Sequence, residues 1–142
     1  MESTVVRVLI VDDHTMARQI VFNVLHGLNV KEIKMAGNGV EAREALYAAY
    51  DAGTPFDVVF LDWNMPELEG IDVLKHFRLH PEFAKTAFIM LTAAGEQSDV
   101  LNAAKSGATS YIVKPASKEV IAKKFHDAVE WVRKQKSGKY NR

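Results

Sequence analysis

Three carboxylates, a hydroxyl and an ammonium each stand at the end of a short apolar run: Asp12 and Asp13 after VVRVLIV, Asp62 after VVFL, Thr92 after AFIML and Lys114 after SYIV. Taken singly, each has an ordinary structural explanation. An acid behind a strand caps a helix or shapes a turn, threonine is common in strands, and lysine is a usual surface charge. Recurrence at four run ends is harder to explain that way. In an open α/β sheet of parallel strands, the carboxyl ends share one edge, and ligands bind there. Clustered carboxylates repel and call for a cation, and Mg2+ takes one or two carboxylates together with waters and a phosphate oxygen. A metal and a lysine can neutralise the oxygens of a phosphoryl group while one carboxylate attacks phosphorus, and Thr92 can donate a hydrogen bond to a phosphoryl oxygen. The constellation reads as Mg2+-dependent phosphoryl transfer to an aspartate.

The elements needed to bring these residues together are written in the periodicity. The runs at 5–11, 58–61 and 87–91 are too continuously apolar for a sheet face open to water, and they read as buried parallel strands. Ala17, Ile20, Val21, Val24, Leu25 and Leu28 follow helical spacing, with Gly27 and Asn29 as the stop. A last helix starts behind Ser117 as N-cap, buries Val120, Ile121, Phe125, Ala128, Val129 and Val132, and fades near Gly138. Strands over 31–36 and 110–113, and helices over 40–51, 71–79 and 97–106, complete five β-then-α units. Such alternation predicts a doubly wound α/β fold, a parallel sheet with helices on both faces.

Composition narrows the function classes. The chain has 142 residues, 48% of them hydrophobic, which suits one domain with a sizeable core. Eighteen basic and eighteen acidic side chains cancel, so overall charge favours neither nucleic acid nor an acidic membrane. The absence of cysteine excludes disulfides, thiolate nucleophiles and cysteine-ligated zinc. The start MESTVVRVLIVDD lacks signal-peptide features and no apolar run is long enough to span a bilayer, so a cytoplasmic monomer is expected. The basic tail from about 133 to 142 is expected to fray into solvent.

In this order, LIVDDHTMARQIV, LDWNMPELEGIDVLK, IMLTAA and GATSYIVKPAS resemble the receiver domain of two-component response regulators, and most nearly the stand-alone chemotaxis receivers of the CheY type. The resemblance runs from about Val5 to about Trp131. It implies a flavodoxin-like (βα)5 fold with strand order 2-1-3-4-5. It makes Asp62 the phosphoacceptor, and Asp12, Asp13, Asp62 and the backbone carbonyl of Asn64 the Mg2+ ligands. Thr92 and Lys114 would hold the phosphoryl oxygens. Tyr111 would change rotamer with Thr92 and expose a face made by the fourth helix, fifth strand and fifth helix. A cis Lys114–Pro115 bond also fits the family. The implied partners are a histidine kinase as phosphodonor and an output protein, either a flagellar motor component or a phosphotransfer protein.

Several residues depart from that pattern. His14 stands where an aromatic or acidic residue is expected and reads best as a loop residue facing water. Ala94 replaces a frequent acid, which bears on the lifetime of an aspartyl phosphate, and Ala116 replaces a frequent aromatic, which bears on the output partner. Gly37, Gly39 and Ala42 satisfy a relaxed dinucleotide fingerprint but follow the second strand, so a turn into a helix is expected. His76 and His80 have helical i, i+4 spacing without a third ligand and read as a solvated face, as does the basic cluster after Trp131.

Four functions compete: a phosphorylation-switched interaction module, a phosphorelay shuttle, a haloacid dehalogenase type phosphatase and a degenerate, unphosphorylated binder. The phosphatase class begins with a D-x-D nucleophile motif, whereas here the acid pair comes first and Asp62 is followed by Trp63 and Asn64.

Overall fold

The computed structural model describes residues 5–93 and 97–137, without the side chains of 97–100. Five parallel strands form one sheet in the order β2-β1-β3-β4-β5, where β1 is Arg7–Val11, β2 Glu32–Ala36, β3 Val58–Asp62, β4 Ala87–Thr92 and β5 Ser110–Val113. The connections are α1 (Thr15–Gly27), α2 (Gly39–Asp51), α3 (Gly70–Arg78), α4 (Gln97–Lys105) and α5 (Lys118–Ser137), with a 3₁₀ turn at Pro81–Phe83. The doubly wound fold and the strand order expected from the sequence are both present.

Strand alternation splits the core into two layers. Leu9, Val11, Val59, Leu61, Phe88 and Met90 face the side covered by α2, α3 and α4. Val8, Ile10, Val58, Phe60, Ile89 and Leu91 face α1 and α5. Every residue of β3 and β4 is buried, which accounts for their uninterrupted apolar runs. The helix starts follow local chemistry. Asn38 Oδ1 accepts from the amide of Glu41, and the Glu41 carboxylate accepts from the amide of Gly37, so the Gly37–Gly39 segment is a capped turn into α2. Ser117 Oγ accepts from the Val120 amide at 3.1 Å, as its position suggested.

Three expectations need correction. Ile20 and Val120 lie at the margins of their apolar stripes and are exposed. The basic stretch from 133 does not fray at once: α5 continues to Ser137, and Lys136 Nζ reaches the buried Asp57 carboxylate at 2.7 Å. Asp57 also accepts from the Arg7 amide at 2.9 Å, so one buried acid ties the ends of α5 and β1 to β3. Gly138 and the residues after it lie outside the described residues.

Arg78 fastens the opposite end of the sheet from the acids. Its guanidinium donates at 2.8 Å to the carbonyls of Gly107, Phe83 and Thr86, and it lies 4.9 Å from the Phe88 ring centroid. Burial pushes its pKa down to about 10, which leaves it charged at neutral pH. Three carbonyls, of Phe83, Thr86 and Gly107, thus share one cation. Arg78→Ala is expected to lower the free energy of unfolding by about 2–4 kcal/mol, measured by equilibrium urea denaturation.

Candidate functional site

Parallel strands bring every run-end residue to the same edge of the sheet. Asp12 follows β1 directly, and its backbone is fixed on both sides: its amide donates to Ala36 O of β2 at 3.2 Å, and its carbonyl accepts from Arg18 Nη1 of α1 at 2.6 Å. Asp62 closes β3. The next amide, Trp63, donates to Leu91 O of β4 at 2.9 Å, and the Trp63 carbonyl accepts from the Gly70 amide at 2.9 Å. Gly70 packs so tightly that a Cβ there would overlap the Asp62 carbonyl oxygen. Thr92 ends β4, and its carbonyl accepts from the Lys114 amide at 2.7 Å. Lys114 follows β5 and precedes Pro115 through a cis peptide bond.

These backbones hold a compact charged cluster. Lys114 Nζ lies 3.0 Å from Asp12 Oδ2 and 3.1 Å from Asp62 Oδ1, bridging the ends of β1 and β3. The Asp12 and Asp62 side chains are almost fully buried, whereas the ammonium keeps 31% of its side-chain surface in water. Burial first, and then the negative charge of Asp12, raise the Asp62 pKa to about 6, although Lys114 pulls the other way. Burial would lower the Lys114 pKa, but its hydrogen bond to Asp12 and the charge of Asp62 outweigh it and hold the ammonium above its ordinary value. Thr92 Oγ1 is buried with no hydrogen-bond partner among the described residues, and so is Asp13 Oδ1.

The donor set fits a hard divalent cation. Asp12, Asp13, His14 and Asp62 each offer a ligand atom, and all four atoms lie within 4.8 Å of one another. Asp12 and Asp62 share the Lys114 ammonium, while Asp13, the third carboxylate of the group, has no lysine or arginine partner among the described residues, so the cluster carries excess negative charge that a cation would offset.

Of the residues singled out from the sequence, Asp12, Asp13, Asp62 and Lys114 are in this cluster, with Thr92 on the same edge. Asn64 is exposed on the loop after β3, two residues from Asp62. Tyr111 is apart from the cluster on β5, 39% exposed, with Lys124 Nζ of α5 5.3 Å from its ring centroid. Leu101, Val113 and Val120 are exposed on the neighbouring parts of α4, β5 and α5. Ala116 lines an apolar cleft of about 440 Å³ with Ile20, Leu91 and Pro115, while Ala94 lies outside the described residues.

Sequence reasoning did not find Arg18 or Gly70, whose roles are backbone contacts that no pattern of side-chain types announces. His14 is 72% exposed, as expected of a residue facing water, yet its Nδ1 lies 3.1 Å from Asp13 Oδ1. His76 and His80 correct the solvated-face reading: both are half-buried, His76 Nε2 is 2.6 Å from Tyr47 Oη, and the rings pack on Phe77 and Tyr47. Among the described residues, no helix is long and apolar enough to cross a membrane.

Residues 8–126 match the family model for the response regulator receiver domain. The chain is 38% identical over 119 residues to chemotaxis protein CheY1 of Helicobacter pylori, an overlap covering 84% of this chain and 93% of that protein. It is 35% identical over 124 residues to chemotaxis protein CheY-3 of Vibrio cholerae, covering 87% and 92%. Among solved structures, chemotaxis response regulator CheY4 of Vibrio cholerae superposes with a TM-score of 0.75 at 30% identity, over 88% of this chain and 99% of that one.

The raised Asp62 pKa has a thermodynamic consequence. The folded protein binds a proton at Asp62 between its ordinary pKa of 3.8 and about 6, where the unfolded chain has already lost it. This contribution to stability is therefore complete below 3.8 and is lost as pH rises through about 6. In metal-free buffer, Asp62→Asn is expected to be more stable than the parent at pH 7, with the gap closing towards pH 4, read from urea midpoints across that range.

Proposed function

Because the chain belongs to the response regulator receiver domain family, whose members are signalling switches, we propose that Asp62 accepts a phosphoryl group from a histidine kinase and that the modified state displays a protein-binding face on α4, β5 and α5. The observation that carries the proposal is the bridge from Lys114 to both Asp12 and Asp62, with the Thr92 hydroxyl, buried without a hydrogen-bond partner among the described residues, on the same edge.

A pKa of about 6 leaves Asp62 mostly ionised at neutral pH, so one of its oxygens is available to attack phosphorus. As the new O–P bond forms, the bond from phosphorus to the donor imidazole nitrogen breaks, and that nitrogen leaves with its electron pair. Lys114 holds Asp62 in place beforehand and is positioned to pair with the phosphoryl oxygens afterwards. Thr92 donates its hydroxyl hydrogen to one of them. Mg2+, held by Asp12, Asp13, Asp62 and the Asn64 carbonyl, would offset the negative charge of the carboxylates and the phosphoryl group.

The switch follows from the added charge. A phosphoryl group brings about −1.5 to −2 and strong acceptors. Lys114 and Thr92 are joined by backbone and lie at the ends of β5 and β4, so a pull on either is felt along the strand that carries Tyr111. Tyr111 would then leave Lys124 and the exposed Leu101, Val113 and Val120 would meet a partner differently. The names of the relatives favour chemotaxis, and within this proposal the partner is a flagellar motor component. The cytoplasmic, monomeric state expected from the sequence belongs to the same proposal.

Intact mass after incubation with acetyl phosphate tests the chemistry. One phosphoryl increment is expected with Mg2+ and none with Asp62→Asn or without the metal. Lys114→Ala should slow its appearance on the order of 10²-fold, whereas Thr92→Ala should still become labelled but lose the accompanying change in Tyr111 NMR shifts. Labelling that survives Asp62→Asn would overturn the assignment.

A further inference from the structure

His14 occupies the first position outside α1, with extended backbone at φ −100° and ψ 121°, and its own amide donates to Asp12 Oδ1 at 3.0 Å. The imidazole, 72% exposed, lies over the acid pair. Nδ1 comes to rest 3.1 Å from Asp13 Oδ1 and 3.4 Å from Asp12 Oδ1. Two ligand atoms bound side by side on one cation at about 2.1 Å stand about 3.0 Å apart in octahedral and about 3.4 Å apart in tetrahedral geometry. Both separations from the imidazole nitrogen therefore already fall at the spacing of neighbouring ligands on a single metal. Apart from that imidazole nitrogen, Asp13 Oδ1 is buried with no hydrogen-bond partner among the described residues, and Asp12, Asp13, His14 and Asp62 each bring a ligand atom within 4.8 Å of the others.

Imidazole nitrogen distinguishes metals. It adds little for Mg2+, which prefers oxygen donors and keeps its waters, and it adds much for the later first-row cations. We infer that His14 Nδ1 is a metal ligand in this protein and gives the acidic pocket a preference for a borderline divalent cation of the zinc and nickel class over Mg2+. The inference rests on the reading of the acid cluster as a cation site. Asp62 belongs to the same four-residue group, so occupancy by the borderline cation competes directly with Mg2+ for the carboxylate proposed to take the phosphoryl group.

Isothermal titration calorimetry of the full chain with Zn2+ and with Mg2+ tests this, in a His80→Gln background that removes the spaced His76 and His80 pair as a rival zinc site. His14→Asn is expected to weaken Zn2+ at least about tenfold and to leave Mg2+ within about twofold. One equivalent of Zn2+ should shift the His14 ring nitrogen resonances, and Asp13→Asn should weaken both metals. Zn2+ affinity unchanged by His14→Asn, or a parallel fall for both metals, would overturn the inference while leaving the Mg2+ reading in place. Zn2+ binding that depends on His14 in a chain with no measurable Mg2+ affinity would uphold the inference and remove that reading.

Discussion

Two buried carboxylates a single ammonium apart are the constraint on which the rest of this structure turns. Unit charges 4 Å apart interact by about 4 kcal/mol at an effective dielectric near 20, so Asp12 and Asp62 need a cation between them to stay ionised together. Lys114 is that cation, and it comes from the far side of the sheet. With the order β2-β1-β3-β4-β5, its side chain passes the end of β4 to reach the ends of β3 and β1. The fold is arranged so that three strands distant in sequence finish at one height.

Charge is treated differently at the two ends of the sheet. Away from the acids, Arg78 meets three carbonyls and Asp57 meets an amide and the Lys136 ammonium, so each buried charge is answered by the chain. At the carboxyl end the answer is incomplete: among the described residues the Thr92 hydroxyl has no hydrogen-bond partner, and burial together with Asp12 raises the Asp62 pKa to about 6. One end closes the molecule, while the other is left short of positive charge and of hydrogen-bond donors and acceptors. Perturbed groups in such an incompletely compensated cluster are what a binding or reaction site needs.

The fold was legible because its signals are local. Unbroken apolar runs marked β3 and β4, and the helical spacing of Val21, Val24 and Leu25 marked α1. The acids, Thr92 and Lys114 were legible as a set because a parallel sheet turns separate strand ends into neighbours. Arg18, Gly70 and Arg78 were not, since each acts on backbone carbonyls, which no pattern of side-chain types announces. The same limit hid Lys136, which looks like one charge in a basic tail until Asp57 is found beneath it. His76 failed differently, because helical spacing alone does not reveal that α2 brings Tyr47 against it.

An open sheet leaves two borders where another chain could add a strand, and here the borders are unlike. Along β2 the exposed side chains are Glu32, Lys34 and Met35, and the two charges discourage strand-on-strand association. Along β5 they are Tyr111 and Val113, with no charge between them. Unwanted self-association is thereby discouraged on one flank of the molecule, while the sticky flank is the one whose strand leads directly into Lys114.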